Sequence, residues 1–303
     1  MSSEHSTYYV PEQSKLPIVM AISLGLFAFG AGHWVRVGTP FIFSLGIVGI
    51  IGTMFFWFNT VIKENMQGLP SAQLKRSYVW GMSWFIFSEV MFFACFFGAL
   101  FYLRNLALPW LAGEGNHSAE IELLWPGFEA EWPLLLTPDQ VVNGEAAKFI
   151  GAHEDMSFPG WSNLLHWLPL WNTIILMTSS VTVHFAHHAL KHDNNRKKFN
   201  LFLGVTVFLG ALFMSLQVLE YFEAYAHMGL TLKAGVYGTT FFMLTGFHGA
   251  HVTMGTIFLG IQLLRSFKGQ FKQDDHFGFE AASWYWHFVD VVWVMLFFFV
   301  YIL

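Results

Sequence analysis

YVWGMSWFIFSEVMFFACFFGALFYL, residues Tyr78–Leu103, runs for 26 residues with a single carboxylate, Glu89, near its middle. About 20 apolar residues suffice for an α-helix to cross a hydrocarbon core about 30 Å thick, since the helix bonds its own backbone polar groups. Tyr78–Leu103 therefore reads as a membrane span. A carboxylate at the centre of that slab costs roughly 2.5–3.5 kcal/mol on insertion scales unless a partner or cavity receives it. Glu89 should face protein, and something should meet it there.

The rest of the chain has the same character. With 55% hydrophobic, 19% aromatic and 12% charged residues, a chain of 303 residues cannot cover a water-soluble globule. Apolar runs long enough to span fall at Leu16–Val35, Pro40–Ile62, Tyr78–Leu103, Trp167–Leu190, Phe199–Ala226, Gly235–Leu264 and Ala281–Leu303. The expected fold is thus an all-α integral membrane protein of seven transmembrane helices, with its termini on opposite sides. The start, MSSEHSTYYVPEQSK, has no basic n-region and no cleavage signal, so the first span reads as retained. Cys95 is the only cysteine, which excludes a disulfide and a thiolate metal cluster.

Basic residues resist translocation and collect on the cytoplasmic side. With the N-terminus inside, that side holds Lys15, Lys63, Lys75, Arg76, Lys191, Arg196, Lys197, Lys198, Arg265, Lys268 and Lys272, against Arg36, Arg104, Lys148 and Lys233 outside. The expected organisation is a cytoplasmic tail 1–15, a two-helix bundle 16–62, a cytoplasmic connection 63–77 containing Gly68 and Pro70, and a five-helix bundle 78–303. The outside segment Asn105–His166 carries Glu114, Glu120, Glu122, Glu129, Glu131, Asp139, Glu145, Glu154 and Asp155. It reads as a loosely structured, acidic cap on the membrane surface.

Depth decides which intramembrane polar groups can meet. At about 1.5 Å per residue from the cytoplasmic ends of their spans, Asp290 lies roughly 14 Å deep, Glu89 roughly 17 Å, His251 roughly 20 Å and His248 roughly 24 Å. In the last span Glu280, Ser283, His287 and Asp290 share one helix face, which should look inward. His248 and His251 share a face of the sixth span, where Gly246, Gly249 and Gly255 allow a neighbouring helix to come close. Glu89 is therefore expected to pair with His251, or else with His248. Two roles stay open for it: a neutral, hydrogen-bonded acid that holds helices together, or a member of a proton or gas pathway. The polar run Thr178, Ser179, Ser180 and Thr182 reads as helix-packing residues.

The 14 histidines raise a metal reading, because His184-Phe-Ala-His187-His188 has the spacing of a membrane di-iron box. Such a site needs three boxes at one membrane face, and the chain offers only this one and a deeper His248-x-x-His251. The scattered histidines likewise specify no haem ligand pair. No metal site is expected, and His184–His192 reads as a basic collar facing lipid phosphates.

Five ordered strings carry a family resemblance: SEVMFFACFF at Ser88–Phe97, NTIILMTSSVTVHFAHHAL at Asn172–Leu190, LQVLEYFEA at Leu216–Ala224, GVYGTTFFMLTGFHGAHVTMGTIFL at Gly235–Leu259 and HFGFEAASWYWHFVDVVW at His276–Trp293. The chain resembles the subunit III family of haem–copper cytochrome c oxidases. The first two spans and the tail with His5, Tyr8, Tyr9, Val10 and Pro11 match it by position and length, while Asn105–His166 looks longer than the family's connection.

The resemblance implies a subunit without catalytic residues, metal or redox cofactor of its own. It would sit beside subunits I and II, which hold the haem and copper, and support subunit I stability, proton uptake and oxygen access. It also implies two helices plus five with a lipid-filled cleft, and Glu89 as the target of carboxyl reagents. Trp57, Glu64 and Arg265 would bind the head groups of structural phospholipids, although Leu69-Pro70-Ser71 stands where relatives often carry histidines. A bacterial plasma membrane is expected ahead of a mitochondrial inner membrane, from the enlarged outside loop. The rival readings are the related subunit of a quinol oxidase or nitric oxide reductase, which usually lacks the first two spans, a membrane di-iron oxygenase, and an ion transporter using Glu89 and Asp290. The transporter should show repeats or broken helices, and none is visible.

Overall fold

A computed structural model describes residues 13–115, 118–153, 158–273 and 275–303. The tail features expected at His5 to Pro11, together with Glu154 and Asp155, lie outside the described residues. Seven long helices stand at the seven apolar runs: α1 (Leu16–Val37), α2 (Phe41–Met66), α3 (Ala72–Tyr102), α7 (Leu168–Lys191), α8 (Arg196–Ala226), α9 (Gly235–Phe267) and α10 (Phe277–Leu296). Short helices α4 (Leu108–Leu111), α5 (Ser118–Leu124) and α6 (Pro138–Asn143) lie between α3 and α7. Most of the long helices run past the expected spans; α3 starts at Ala72, not Tyr78, and α10 at Phe277, not Ala281. Hydropathy marks only the segment matched to hydrocarbon, and helices continue beyond it through polar residues such as Lys75, Arg76 and Glu280.

Local chemistry sets the ends. Pro17 opens α1, where its missing N–H costs nothing, and Gly38 closes it at φ +81° with its N–H on Trp34 O at 2.8 Å. Asn195 caps α8 by accepting the Lys198 N–H at 3.1 Å. After α3 the chain passes through a π-helical turn at Leu103–Ala107 into α4. Pro109 explains it: the ring clashes with the carbonyl four residues back and opens the ladder. A second π-helical stretch, Phe297–Ile302, follows α10.

Five helical stretches are long and apolar enough to cross a membrane: α1, α2, the run from α3 to Leu111, α8, and α10 with its π-helical end. Helices α7 and α9, which carry Thr, Ser and His residues of the interior, are not among these five. The chain is a multi-pass membrane protein with polar groups inside and apolar ones outside. Asn172, Ser179, Thr206, Gln217, Thr245, His248 and Asp290 are buried, while Ile18, Phe29, Phe55, Trp84, Phe208 and Phe222 are exposed. For a soluble monomer such apolar exposure would be an aggregation hazard; in lipid it is the solvated surface.

The chain divides into two compact units that part between Met82 and Ser83 within α3, beyond the 63–77 connection expected to divide it. In the first unit α1 packs on α2. Gly30 lies against the backbone of Ile42 and Phe43, and Gly46 against the backbone of Leu26 and Phe27, so any larger side chain would push the helices apart. In the second unit α7, α8, α9 and α10 pack in a closed cycle. The α3 portion of this unit joins them through large rings, with Phe92 and Phe96 on Phe247 at 5.1 and 5.3 Å, and Phe93 on Phe288 at 6.1 Å between centroids.

The 105–166 segment is more ordered than expected. Thr137 Oγ1 accepts the Gln140 N–H at 3.2 Å while Gln140 Oε1 accepts the Thr137 N–H at 3.1 Å, a capping box that starts α6. Asp139 Oδ2 accepts the N–H groups of Lys148 and Phe149 at 2.6 and 3.1 Å, and its Oδ1 accepts from Asn143 Nδ2 at 2.7 Å. These bonds hold the Asp139 carboxyl below its ordinary value, with the Asn143 bond the largest cause. The loop also docks back: His153 N–H donates to Met228 O at 2.9 Å, after α8. A composition-based reading missed this because the order comes from side chain to backbone bonds, which leave no periodic trace.

Candidate functional site: a polar seam inside the second unit

Glu89 on α3 and His251 on α9 meet directly. Glu89 Oε2 lies 2.9 Å from His251 Nε2, and the other ring nitrogen, Nδ1, lies 2.6 Å from Phe247 O, one turn back on the same helix. A carbonyl only accepts, so Nδ1 carries a hydrogen. Two arrangements then satisfy the short contact at Nε2: a neutral acid donating to neutral imidazole, or a carboxylate accepting from imidazolium. In both, one proton lies between the two side chains. Phe93 packs edge-on to the His251 ring at 5.0 Å, and Phe92 and Tyr285 flank it at 5.9 and 6.3 Å, leaving the pair half-buried.

His248 is not brought to Glu89. It is buried, its Nε2 donates to Val289 O on α10 at 3.2 Å, and its ring lies 5.0 Å from that of Trp293. Three residues separate it from His251, and that step of about 300° turns it towards α10. Helix spacing alone could not choose between the two histidines.

His287 and Asp290 lie together with Ser180 of α7. His287 Nδ1 is 2.9 Å from Ser180 Oγ and 3.8 Å from Asp290 Oδ2, the latter too long for a hydrogen bond. Both Asp290 oxygens are buried and have no hydrogen-bond partner among the described residues. Sequence reasoning placed these residues on one inward face but not the contribution of Ser180, which needs the α7–α10 register. The rest of that polar run also serves packing: Ser179 Oγ accepts from Trp286 Nε1 at 3.0 Å and Thr182 Oγ1 lies 2.8 Å from Thr206 Oγ1.

The histidines of the H-x-x-H-H string diverge. His184 and His188 are exposed, and His188 Nδ1 lies 3.9 Å from Asp193 Oδ1. His187 departs from the expected lipid-facing collar: its Nε2 lies 3.3 Å from Glu280 Oε1, and His276 Nε2 lies 3.2 Å from the same oxygen. His187 sits four residues beyond Val183, which is wholly buried, so the helix repeat directs it inward.

Of the three residues singled out for lipid head groups, Glu64 and Arg265 lie near helix ends, while Trp57 lies within α2. Trp57 is exposed on α2, and Glu64 is half-buried near the end of that helix. Arg265, near the end of α9, donates from Nε to Gln270 Oε1 at 3.1 Å and from Nη1 to Gln262 Oε1 at 3.0 Å, and its guanidinium lies 4.8 Å from the centroid of Phe271.

A family model described as Cytochrome c oxidase subunit III matches residues 5–135 and 163–303, leaving the stretch 136–162 of the 105–166 segment unmatched. Among curated relatives, Cytochrome c oxidase subunit 3 of Oryctolagus cuniculus is 35% identical over 298 residues, covering 98% of this chain and 97% of the relative. The Xenopus laevis and Cyprinus carpio proteins of the same description are 37% and 35% identical over the same coverage. The unmatched stretch begins at the α6 capping box, so the extra chain builds its own hydrogen-bonded order. Matches of this length across both compact units place the chain in the cytochrome c oxidase subunit III family.

Proposed function

We propose that the chain works as subunit III of a proton-pumping cytochrome c oxidase, in the complex that passes electrons from cytochrome c to oxygen. The observation that carries this reading is the match along both units, α1 and α2 included. Those two helices weigh against the quinol oxidase and nitric oxide reductase reading, whose corresponding subunit usually lacks them. The divergent histidines at His184 to His188 weigh against the di-iron oxygenase.

The chain acts without a redox centre of its own; haem and copper belong to subunits I and II. All seven long helices cross the membrane: α1 and α2 belong to the first unit, α7 to α10 to the second, and α3 runs from one into the other. The N-terminus lies on the cytoplasmic or matrix side and the C-terminus opposite. The unmatched outside stretch favours a bacterial plasma membrane, and the animal relatives favour the mitochondrial alternative. Glu89 and His251 form a half-buried acid–base pair that supports proton uptake or oxygen access in the neighbouring subunit, and His287 and Asp290 extend the polar interior. Trp57, Glu64 and Arg265 bind phospholipid head groups, with Gln262 and Gln270 fixing the guanidinium of Arg265.

Purification of the tagged chain in mild detergent tests the reading. A haem spectrum should accompany the chain and vanish from it when the subunits are separated. A chain that purifies without haem protein from respiring membranes would contradict the assignment.

A further inference from the structure

Beyond the Glu89 seam, a second cluster stands where α7 ends and α10 begins. It comprises His187, His276 and Glu280, one from α7 and two from the start of α10, and their ligand atoms all lie within 4.8 Å of one another. The two Nε2 atoms lie 3.3 and 3.2 Å from the shared Glu280 Oε1. Both nitrogens are shielded from solvent, yet neither makes a hydrogen bond with acceptable geometry among the described residues. The distances suit ion pairs, but the directions do not.

Those separations match a different arrangement. Ligands held at about 2.0–2.1 Å by a tetrahedral zinc ion lie about 3.3 Å from each other along the edges of the tetrahedron. The Nδ1 of His276 lies 3.3 Å from Lys272 O, four residues back. A carbonyl only accepts, so Nδ1 carries the hydrogen and Nε2 presents its lone pair to the cluster. Such a backbone contact on the far nitrogen is the usual way a protein fixes a metal-ligating imidazole. The cluster is also braced from behind: Gln273 Nε2 donates to Lys191 O at 2.8 Å, tying the turn before α10 to the end of α7.

We propose that His187 Nε2, His276 Nε2 and a Glu280 oxygen bind a redox-inactive divalent cation of the zinc type, with a fourth position left for water. The donor set suits it, since two imidazoles and one carboxylate are common zinc ligands and no thiolate is near. The ion would staple the cytoplasmic end of α7 to the first turn of α10 and neutralise Glu280. His276 is almost wholly buried, whereas His187 and Glu280 keep 27% and 25% of their side-chain surface, so an ion has a route in from the membrane surface.

The test uses the tagged chain in whatever assembly it purifies with, stripped by EDTA and then dialysed against zinc alone. Zinc per chain is counted by mass spectrometry for wild type, Glu280→Gln and the double variant His187→Gln/His276→Gln. Wild type should hold one more zinc per chain than the double variant. The X-ray absorption difference between the two should show imidazole scattering from nitrogen neighbours at about 2.0 Å. Equal zinc in wild type and the double variant overturns the proposal, as does a wild-type chain that retains none. Glu280→Gln preserves shape, so its zinc loss with normal assembly excludes misfolding as the cause. Because zinc is counted per chain, loss of haem co-purification would count against the subunit reading and leave this result intact.

Discussion

The indole N–H of Trp286 on α10 donates to Ser179 Oγ on α7 at 3.0 Å, both residues being buried. The same ring fills the space left by two glycines on other helices. A Cβ at Gly255 would sit 2.8 Å from the ring, and one at Gly210 would sit 2.7 Å from it. Gly255→Ala should therefore destabilise the second unit by about 1–3 kcal/mol through overpacking. Ser179→Ala removes only the acceptor and should cost about 0.6 kcal/mol, the average for a hydrogen bond within a membrane bundle. Thermal unfolding in detergent should rank the two in that order, and the reverse order would contradict this packing.

The Glu89–His251 contact makes a paired prediction. Glu89→Gln keeps a donor facing His251 Nε2, so assembly should survive, while labelling by carboxyl reagents at this position should be lost. His251→Leu leaves the half-buried acid without its partner and should destabilise the unit by about 1–3 kcal/mol. Infrared spectra and detergent stability curves read both effects. A His251→Leu chain as stable as wild type would show that the contact contributes nothing.

Asp139 predicts a pH dependence in the loop that follows α6. Its carboxyl is held below the ordinary value by Asn143 and by the N–H groups of Phe149 and Lys148. A lowered folded-state value means that the contribution is complete above the unfolded value, about 3.9, and is lost as pH falls through the folded one. Hydrogen exchange at Lys148 and Phe149 should stay slow down to about pH 4 and quicken below it. Asp139→Ala should make exchange at both amides fast at neutral pH; unchanged protection would remove the clip from the account.

Arg265→Ala should reduce the phospholipid retained by the purified assembly, as read by native mass spectrometry. The guanidinium is already oriented by Gln262 and Gln270, so Arg265→Lys, which has no planar fork, should restore retention only in part. An unchanged lipid count in Arg265→Ala would sink the assignment.

The long helices were legible because lipid imposes a coarse rule: every crossing segment must be apolar over a fixed length. Glu89 stood out for the same reason, since an acid there needs a partner. The expectation put His251 ahead of His248 as its partner, but with both on one face it left His248 open, and only the packing of α3 against α9 and α10 separates them. The His187, His276 and Glu280 cluster was hidden more deeply. Its members lie almost ninety positions apart, and His187 resembled its exposed neighbours His184 and His188. The Asp139 clip was invisible for a third reason: bonds from a side chain to loop backbone follow no repeat.

The central claim is that this chain supports a neighbour's chemistry from within the membrane and performs none itself. Selective removal of the chain from the purified complex, with oxygen uptake, haem and copper measured before and after, tests this most directly. The account predicts that haem and copper stay with the remaining subunits, that the initial rate largely persists, and that activity then decays faster during turnover. Departure of haem or copper with this chain, in proportion to it, would contradict the account.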